Sequence, residues 1–322
     1  MSEVVLSTLE LSKHFVGKSS IVGRIRGKKP LSIPAVDGVS INIESGQTVG
    51  LVGESGCGKS TLGRTLVGLY PSTSGSLLLF DRQMGTSRSL EERRLVQMIF
   101  QDPFASLNPR MKVGDMLKEI LLFHKLVSKE EVAKRSAELM ALVGLPVNAL
   151  DSYPRQFSGG QRQRIGIARA LALEPKILIA DEAVSALDVS VQASIVNLLL
   201  DLKRDLGLTM LFISHNIAIV RQISDRIAVM YLGRIVEEGP TEEVFNNPQH
   251  PYTKLLLSSV PKMTPGSKLG EAPQGELPSM QAKYLGCRFM SRCPISIPAC
   301  STTDPQLIEI AAPGHLAACI NL

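Results

Sequence analysis

The chain has 322 residues, 44% of them apolar, enough to bury a large core and to leave room for one domain of about 250 residues plus an appendix. Its net charge of +5 is modest, and with no Trp and 4% aromatic residues it lacks the basic and aromatic interleaving of a nucleic-acid binder. No apolar run approaches the roughly 20 residues that cross a bilayer and the N-terminus shows no signal-peptide core, so a role at the membrane is expected only by docking onto other subunits.

Strand-like pieces come first: Val5 to Leu9, Ser40 to Ile43, Thr48 to Val52 and Ser76 to Phe80. Between the first two lies a basic insertion, Lys18 to Pro34, with Lys18, Arg24, Arg26, Lys28 and Lys29. A solvated loop is the expectation there, and contact with an anionic membrane surface is the alternative. The third piece leads into Gly53-Glu54-Ser55-Gly56-Cys57-Gly58-Lys59-Ser60, which fits the G-x-x-x-x-G-K-[ST] phosphate loop. Its glycines let successive N–H groups point inward at phosphate oxygens, and a helix beginning near Lys59 adds its positive dipole end. Lys59 is expected to reach the β- and γ-phosphates, Ser60 to coordinate Mg²⁺, and Thr61 to support the cradle.

Helical periodicity follows over Val113 to His124 and Lys129 to Val143, ending at Gly144-Leu145-Pro146. Phe157-Ser158-Gly159-Gly160-Gln161 then opens a helix-like stretch from Arg162 to Leu173. The run Ile177-Leu178-Ile179-Ala180 before Asp181-Glu182 predicts a buried parallel strand that delivers two carboxylates at its carboxyl end. Asp181 becomes the Mg²⁺ partner through water, and Glu182 is placed to polarise the attacking water. Thr209 to Ser214 and Arg226 to Leu232 are late strands, and alternation of helix and strand up to about Glu238 requires a parallel sheet.

After Gly239 prolines recur, at 240, 248, 251, 261, 265, 273 and 278, and 262–283 reads as a linker. Beyond it stand four of the five cysteines, Cys287, Cys293, Cys300 and Cys319, spaced C-x5-C-x6-C-x18-C. A reducing compartment disfavours disulfides. Zinc takes four thiolates but usually through a short C-x2-4-C knuckle, which is missing; a [4Fe–4S] cluster takes four thiolates with looser spacing.

The phosphate loop, the Phe157 to Gln161 motif, Asp181-Glu182 and Ser214-His215, in this order, resemble the nucleotide-binding subunit of an ATP-binding cassette transporter. The resemblance implies an α/β P-loop NTPase cassette with a parallel-sheet core, an antiparallel β subdomain and a helical signature subdomain at about 102–157. The cassette is expected to occupy 1–240, with a small cysteine-rich extension at 241–322. It further implies that Gln101, in Phe100-Gln101-Asp102-Pro103, touches Mg²⁺ and senses the membrane partner, and that His215 contacts the γ-phosphate. Ser185-Ala186-Leu187-Asp188 matches the loop that crosses between paired subunits. Ser158, Gly159, Gly160 and Gln161 match the signature that closes over ATP held by the partner. Phe15 is the best match to the adenine-stacking aromatic, although the basic insertion separates it from the core. Asn216 stands where the family usually has aspartate and should alter a neighbouring hydrogen bond. A soluble cassette ATPase of DNA repair or translation is the alternative, but the chain shows neither a long coiled-coil insertion nor a second cassette. ATP binding without hydrolysis is opposed by Glu182 and His215.

His250-Pro251-Tyr252-Thr253-Lys254-Leu255-Leu256, with Gly286-Cys287-Arg288-Phe289 and Arg292-Cys293-Pro294, looks like the C-terminal extension of oligopeptide and dipeptide importer ATPases. That implies a [4Fe–4S] cluster on the four cysteines, with zinc as the alternative and His315 a neighbour. Ala35-Val36-Asp37-Gly38-Val39-Ser40 and Ser60-Thr61-Leu62-Gly63-Arg64 look like the second of the two ATPases such importers encode. The implied partners are a sister ATPase in a heterodimer, two permease subunits and an extracytoplasmic binding protein, with this subunit peripheral on the cytoplasmic face of the membrane. Because permease and binding protein select the cargo, peptides, glutathione, nickel complexes and haem all stay open.

Overall fold

The computed structural model describes residues 3–17, 32–258, 278–280, 282, 284–310 and 312–322. The five cations of the basic insertion and most of the proline-rich stretch 262–283 lie outside the described residues.

Two sheets organise the N-terminal half. Strands β1 (Val4–Val16) and β2 (Ser32–Glu44) are each 13 residues long and pair antiparallel, far beyond the short pieces expected. Register shifts at Thr8/Leu11, Leu11/Lys13 and Lys13/His14 break the two-residue alternation, so the second half of β1 carries no strand pattern to read. β3 (Thr48–Val52) then enters the second sheet, followed by helix α1 (Lys59–Leu66), and β4 (Ser74–Leu79) and β5 (Arg82–Gln83) complete the first. Its order is β2-β1-β4-β5.

The second sheet is built around carboxyl ends that face one way. After α2 (Leu90–Leu95) come β6 (Val96–Ile99), the short α3 (Pro103–Ser106), α4 (Val113–Phe123) and α5 (Val132–Leu142). Helix α5 starts three residues later than expected because Ser128 to Glu131 form a turn, closed by the Ser128 N–H on the Glu131 carboxylate at 3.0 Å. Next are α6 (Gly159–Leu171), β7 (Ile177–Asp181), α7 (Val189–Leu206), β8 (Thr209–Ile213), α8 (Ile217–Ile223) and β9 (Arg226–Tyr231). Strands β9-β3-β8-β7-β6 are parallel neighbours. All five residues of β3, of β7 and of β8 are buried, as strands covered on both faces must be.

The C-terminal region continues this sheet. β10 (Arg234–Pro240) is antiparallel to β9; after α9 (Thr241–Asn246) and α10 (Pro251–Ser258), β11 (Ile308–Glu309) and β12 (Leu316–Ala317) pair with each other and β12 pairs with β10. One hydrophobic core joins the helical segment to Tyr231, Tyr252 and Phe289; a second packs β1, β2 and β4 over α1. A carboxylate is stitched into the seam: fully buried Glu237 receives N–H groups of Gln249 and His250 at 2.8 Å and faces His315 Nε2 at 2.8 Å. Among the described residues, no helix is long and apolar enough to cross a membrane.

Candidate nucleotide site

Four adjacent parallel strands deliver the predicted site residues to one edge. β3 runs into the phosphate loop, β6 leads to Gln101, β7 ends on Asp181 followed by Glu182, and β8 leads to Ser214 and His215. Ligand sites form at such carboxyl ends. Gly58, at the N-cap of α1, has φ 111°, and a Cβ there would sit on the Ala35 carbonyl oxygen, so only glycine fits. Among the described residues no side chain caps α1, so there its first N–H groups meet no side-chain partner. Lys59 is 4% exposed, and its Nζ donates to the Gly53 and Glu54 carbonyls, both at 2.8 Å. Cys57 is fully buried beneath the loop, and burial pushes its thiol up.

Ser60 donates its hydroxyl to Asp181 Oδ1 at 2.7 Å. Asp181 is fully buried, burial pushes its carboxyl up, and among the described residues its Oδ2 has no hydrogen-bond partner; the Arg64 guanidinium stands 3.9 Å away. A part-buried hydroxyl and a buried carboxylate with an orphaned oxygen fit a hard cation that takes oxygen ligands and keeps waters, as Mg²⁺ does. Glu182 sits at φ 47°, a left-handed conformation that costs a residue with a Cβ about 1–2 kcal/mol. Its N–H extends the sheet by donating to the Ile213 carbonyl at 2.9 Å. Gln101 Nε2 donates to its carboxylate at 3.0 Å, and His215 Nδ1 lies 3.5 Å away. Gln101, Glu182 and His215 are thus brought together.

The signature residues are not part of that cluster. Ser158 and Gln161 form a reciprocal capping box at the start of α6, with Ser158 Oγ accepting from the Gln161 N–H and Gln161 Oε1 accepting from the Ser158 N–H. The nearest side chains to a Cβ at Gly159 and Gly160 would be Leu187 and Val191, on the loop after Glu182 and the start of α7. Phe15 lies on β1, 37% exposed, with its ring edge-on to Tyr70 at 5.3 Å and Lys13 Nζ 5.2 Å above it. Sequence reasoning missed Tyr70, which follows α1 outside any periodic run. Asn216 caps α8 by accepting from the Ala218 and Ile219 N–H groups at 3.2 and 3.4 Å, so the amide oxygen fills the position a carboxylate would.

Cys287, Cys293, Cys300 and Cys319 are free thiols that line one cavity together with His250, Phe289, Met290 and Ile295. Burial raises the Cys287 and Cys293 thiols. Among the described residues, no three His, Cys, Asp or Glu side chains form a set that could hold a metal ion. His315 is engaged by Glu237 and does not line the cavity.

Residues 36–185 match the ABC transporter family model, and 236–300 match the oligopeptide/dipeptide transporter C-terminal region. The chain is 47% identical over 317 residues to the oligopeptide transport ATP-binding protein OppF of Escherichia coli, covering 95% of this chain and 93% of that protein. To AppF of Bacillus subtilis, also an oligopeptide transport ATP-binding protein, it is 47% identical over 325 residues, covering 98% and 97%. The chain belongs to the ABC transporter family. It is an ABC ATPase that carries the oligopeptide/dipeptide transporter C-terminal region. Solved ABC structures agree: cbiO1 of Clostridium perfringens, part of the transporter complex cbiONQ, has TM-score 0.63 and 28% identity over 76% of this chain and 92% of that one. The ATP-binding cassette MJ0796, in a dimeric post-hydrolysis state with ADP and Pi, has TM-score 0.63 and 28% identity over 73% and 98%.

Proposed function

We propose that this ATPase energises import of oligopeptides or dipeptides through a membrane permease. The observation that carries the reading is similarity at 47% identity, along nearly the whole chain, to proteins named for oligopeptide transport, joined to the phosphate loop, Asp181, Glu182 and His215 gathered at one edge of the sheet. The cassette occupies 1–240 and the extension 241–322.

Lys59 exchanges its two loop carbonyls for β- and γ-phosphate oxygens, and the free N–H groups at the start of α1 take the others. Phe15, with Tyr70 beside it, stacks on the adenine. Ser60, Asp181 and Gln101 would hold Mg²⁺, which would neutralise charge on the triphosphate. Glu182 orients the attacking water while Gln101 and His215 hold its carboxylate in place. Ser158 to Gln161 serve the ATP of a partner cassette, a sister ATPase in a heterodimer, so closure of the pair completes both sites.

Among the described residues the four thiols are not gathered into a ready metal-ion set, but they line one apolar cavity, and the chemistry of four soft thiolates behind a hydrophobic wall is that of a [4Fe–4S] cluster, whose binding would draw them together. Zinc is the alternative. Anaerobic purification of the tagged chain from detergent-solubilised membranes of its host tests the whole reading. Two permease subunits and a second ATPase are expected to co-elute, with iron and acid-labile sulfide at about four each per chain and broad visible absorption. Zinc at about one per chain without colour would replace the cluster by a structural zinc site. Recovery of the chain without any membrane subunit would contradict the importer.

A further inference from the structure

Every polar group of Glu54, second residue of the phosphate loop, is engaged. Its carbonyl accepts from Lys59 Nζ at 2.8 Å, and its N–H donates to the Tyr252 hydroxyl at 2.8 Å. Its carboxylate receives two parallel bonds from the Arg292 guanidinium, at 2.8 and 2.9 Å. Two of these three partners belong to the C-terminal region, Tyr252 on α10 and Arg292 in the turn Met290–Arg292.

Both are fixed points. Tyr252 is fully buried, its ring centroid 4.6 Å from that of Tyr231 at the end of β9 and 5.5 Å from that of Phe289. Its N–H donates to His250 Nδ1 at 3.1 Å, and burial keeps that imidazole neutral and accepting. The Arg292 side chain is 6% exposed and that of Glu54 18%, so this forked pair is screened far less than a surface ion pair. A second tie holds the same surface: Arg288 donates to Asp37 and to the Leu232 carbonyl.

An acidic side chain in a phosphate-binding loop is a liability. A free Glu54 carboxylate, five residues before the first residue of α1, would repel the triphosphate and compete for Lys59. We propose that Arg292 and Tyr252 are positioning residues of the nucleotide site: the C-terminal region neutralises Glu54, braces the first turn of the phosphate loop, and thereby sets affinity for ATP. The proposal rests on the ATPase reading.

Equilibrium binding of a fluorescent ATP analogue and steady-state hydrolysis, on the purified full-length chain, test it. Arg292→Ala is expected to raise Kd and KM about tenfold, on the order of 1.4 kcal/mol, with kcat changed much less. Arg292→Lys, a single point charge without the fork, falls between the two. Adding Glu54→Gln to Arg292→Ala removes the uncompensated charge and is expected to recover most of the affinity, which a merely structural loss would not allow. Tyr252→Phe removes one oxygen and keeps the ring packing; it is expected to raise Kd severalfold. Wild-type Kd in a folded Arg292→Ala protein, or a double variant no tighter than the single one, would overturn the brace. Where Arg292→Ala does not fold, an unchanged Kd for Tyr252→Phe overturns it. Failure of the wild-type chain to bind the analogue would instead overturn the ATPase reading and the brace with it.

Discussion

Glu182→Gln is expected to bind ATP as the wild type does while turnover falls by about 10²–10⁴-fold, the range general-base catalysis contributes. The amide keeps the volume of the carboxylate at the end of β7, where the N–H of Glu182 is tied to Ile213 and the side chain sits between Gln101 and His215. It loses the proton affinity that the proposed role in polarising the attacking water requires. The strained φ of 47° is unchanged by the substitution, so folding and binding should survive. Hydrolysis stalled after ATP binding also predicts that the paired cassettes stay closed, visible as a stable dimer by gel filtration in ATP. Undiminished hydrolysis by the variant would remove Glu182 from its role.

Lys59→Ala is expected to weaken ATP binding by about 10²-fold or more and to leave no measurable turnover. The ammonium is buried and already points two strong bonds at the mouth of the loop, and hydrogen bonds to charged groups are worth roughly 1.5–3 kcal/mol each. Arginine is no substitute, because its planar fork does not fit a pocket built for a point charge between the Gly53 and Glu54 carbonyls. Nucleotide binding measured by fluorescence, beside a thermal melt to confirm folding, checks this. Retained affinity in a folded variant would show that phosphate is held elsewhere.

The parallel core was legible because β3, β7 and β8 are each five residues buried on both faces, and such strands write themselves as near-continuous apolar runs. The same logic placed the phosphate loop, Asp181 and Glu182, since each follows directly from a strand end. The long β1 and β2 escaped because register shifts interrupt their alternation, and β11 and β12, two residues each, are too short to carry a period. Nothing local marks the Arg292 fork on Glu54, whose partners are 238 positions apart, although both Tyr252 and Arg292 stand in the motifs that carried the family resemblance. The four cysteines were visible as a cluster in sequence, and they line one cavity, but spacing alone could not choose between thiolate-bound groups.

Uptake of a labelled tripeptide by host cells deleted for this chain, complemented with the wild-type chain or with Lys59→Ala, tests the importer most directly. The account predicts uptake restored by the wild type alone, dependent on cellular ATP, and absent with Lys59→Ala. Peptide uptake that is equal in the deletion and the complemented strain would contradict it.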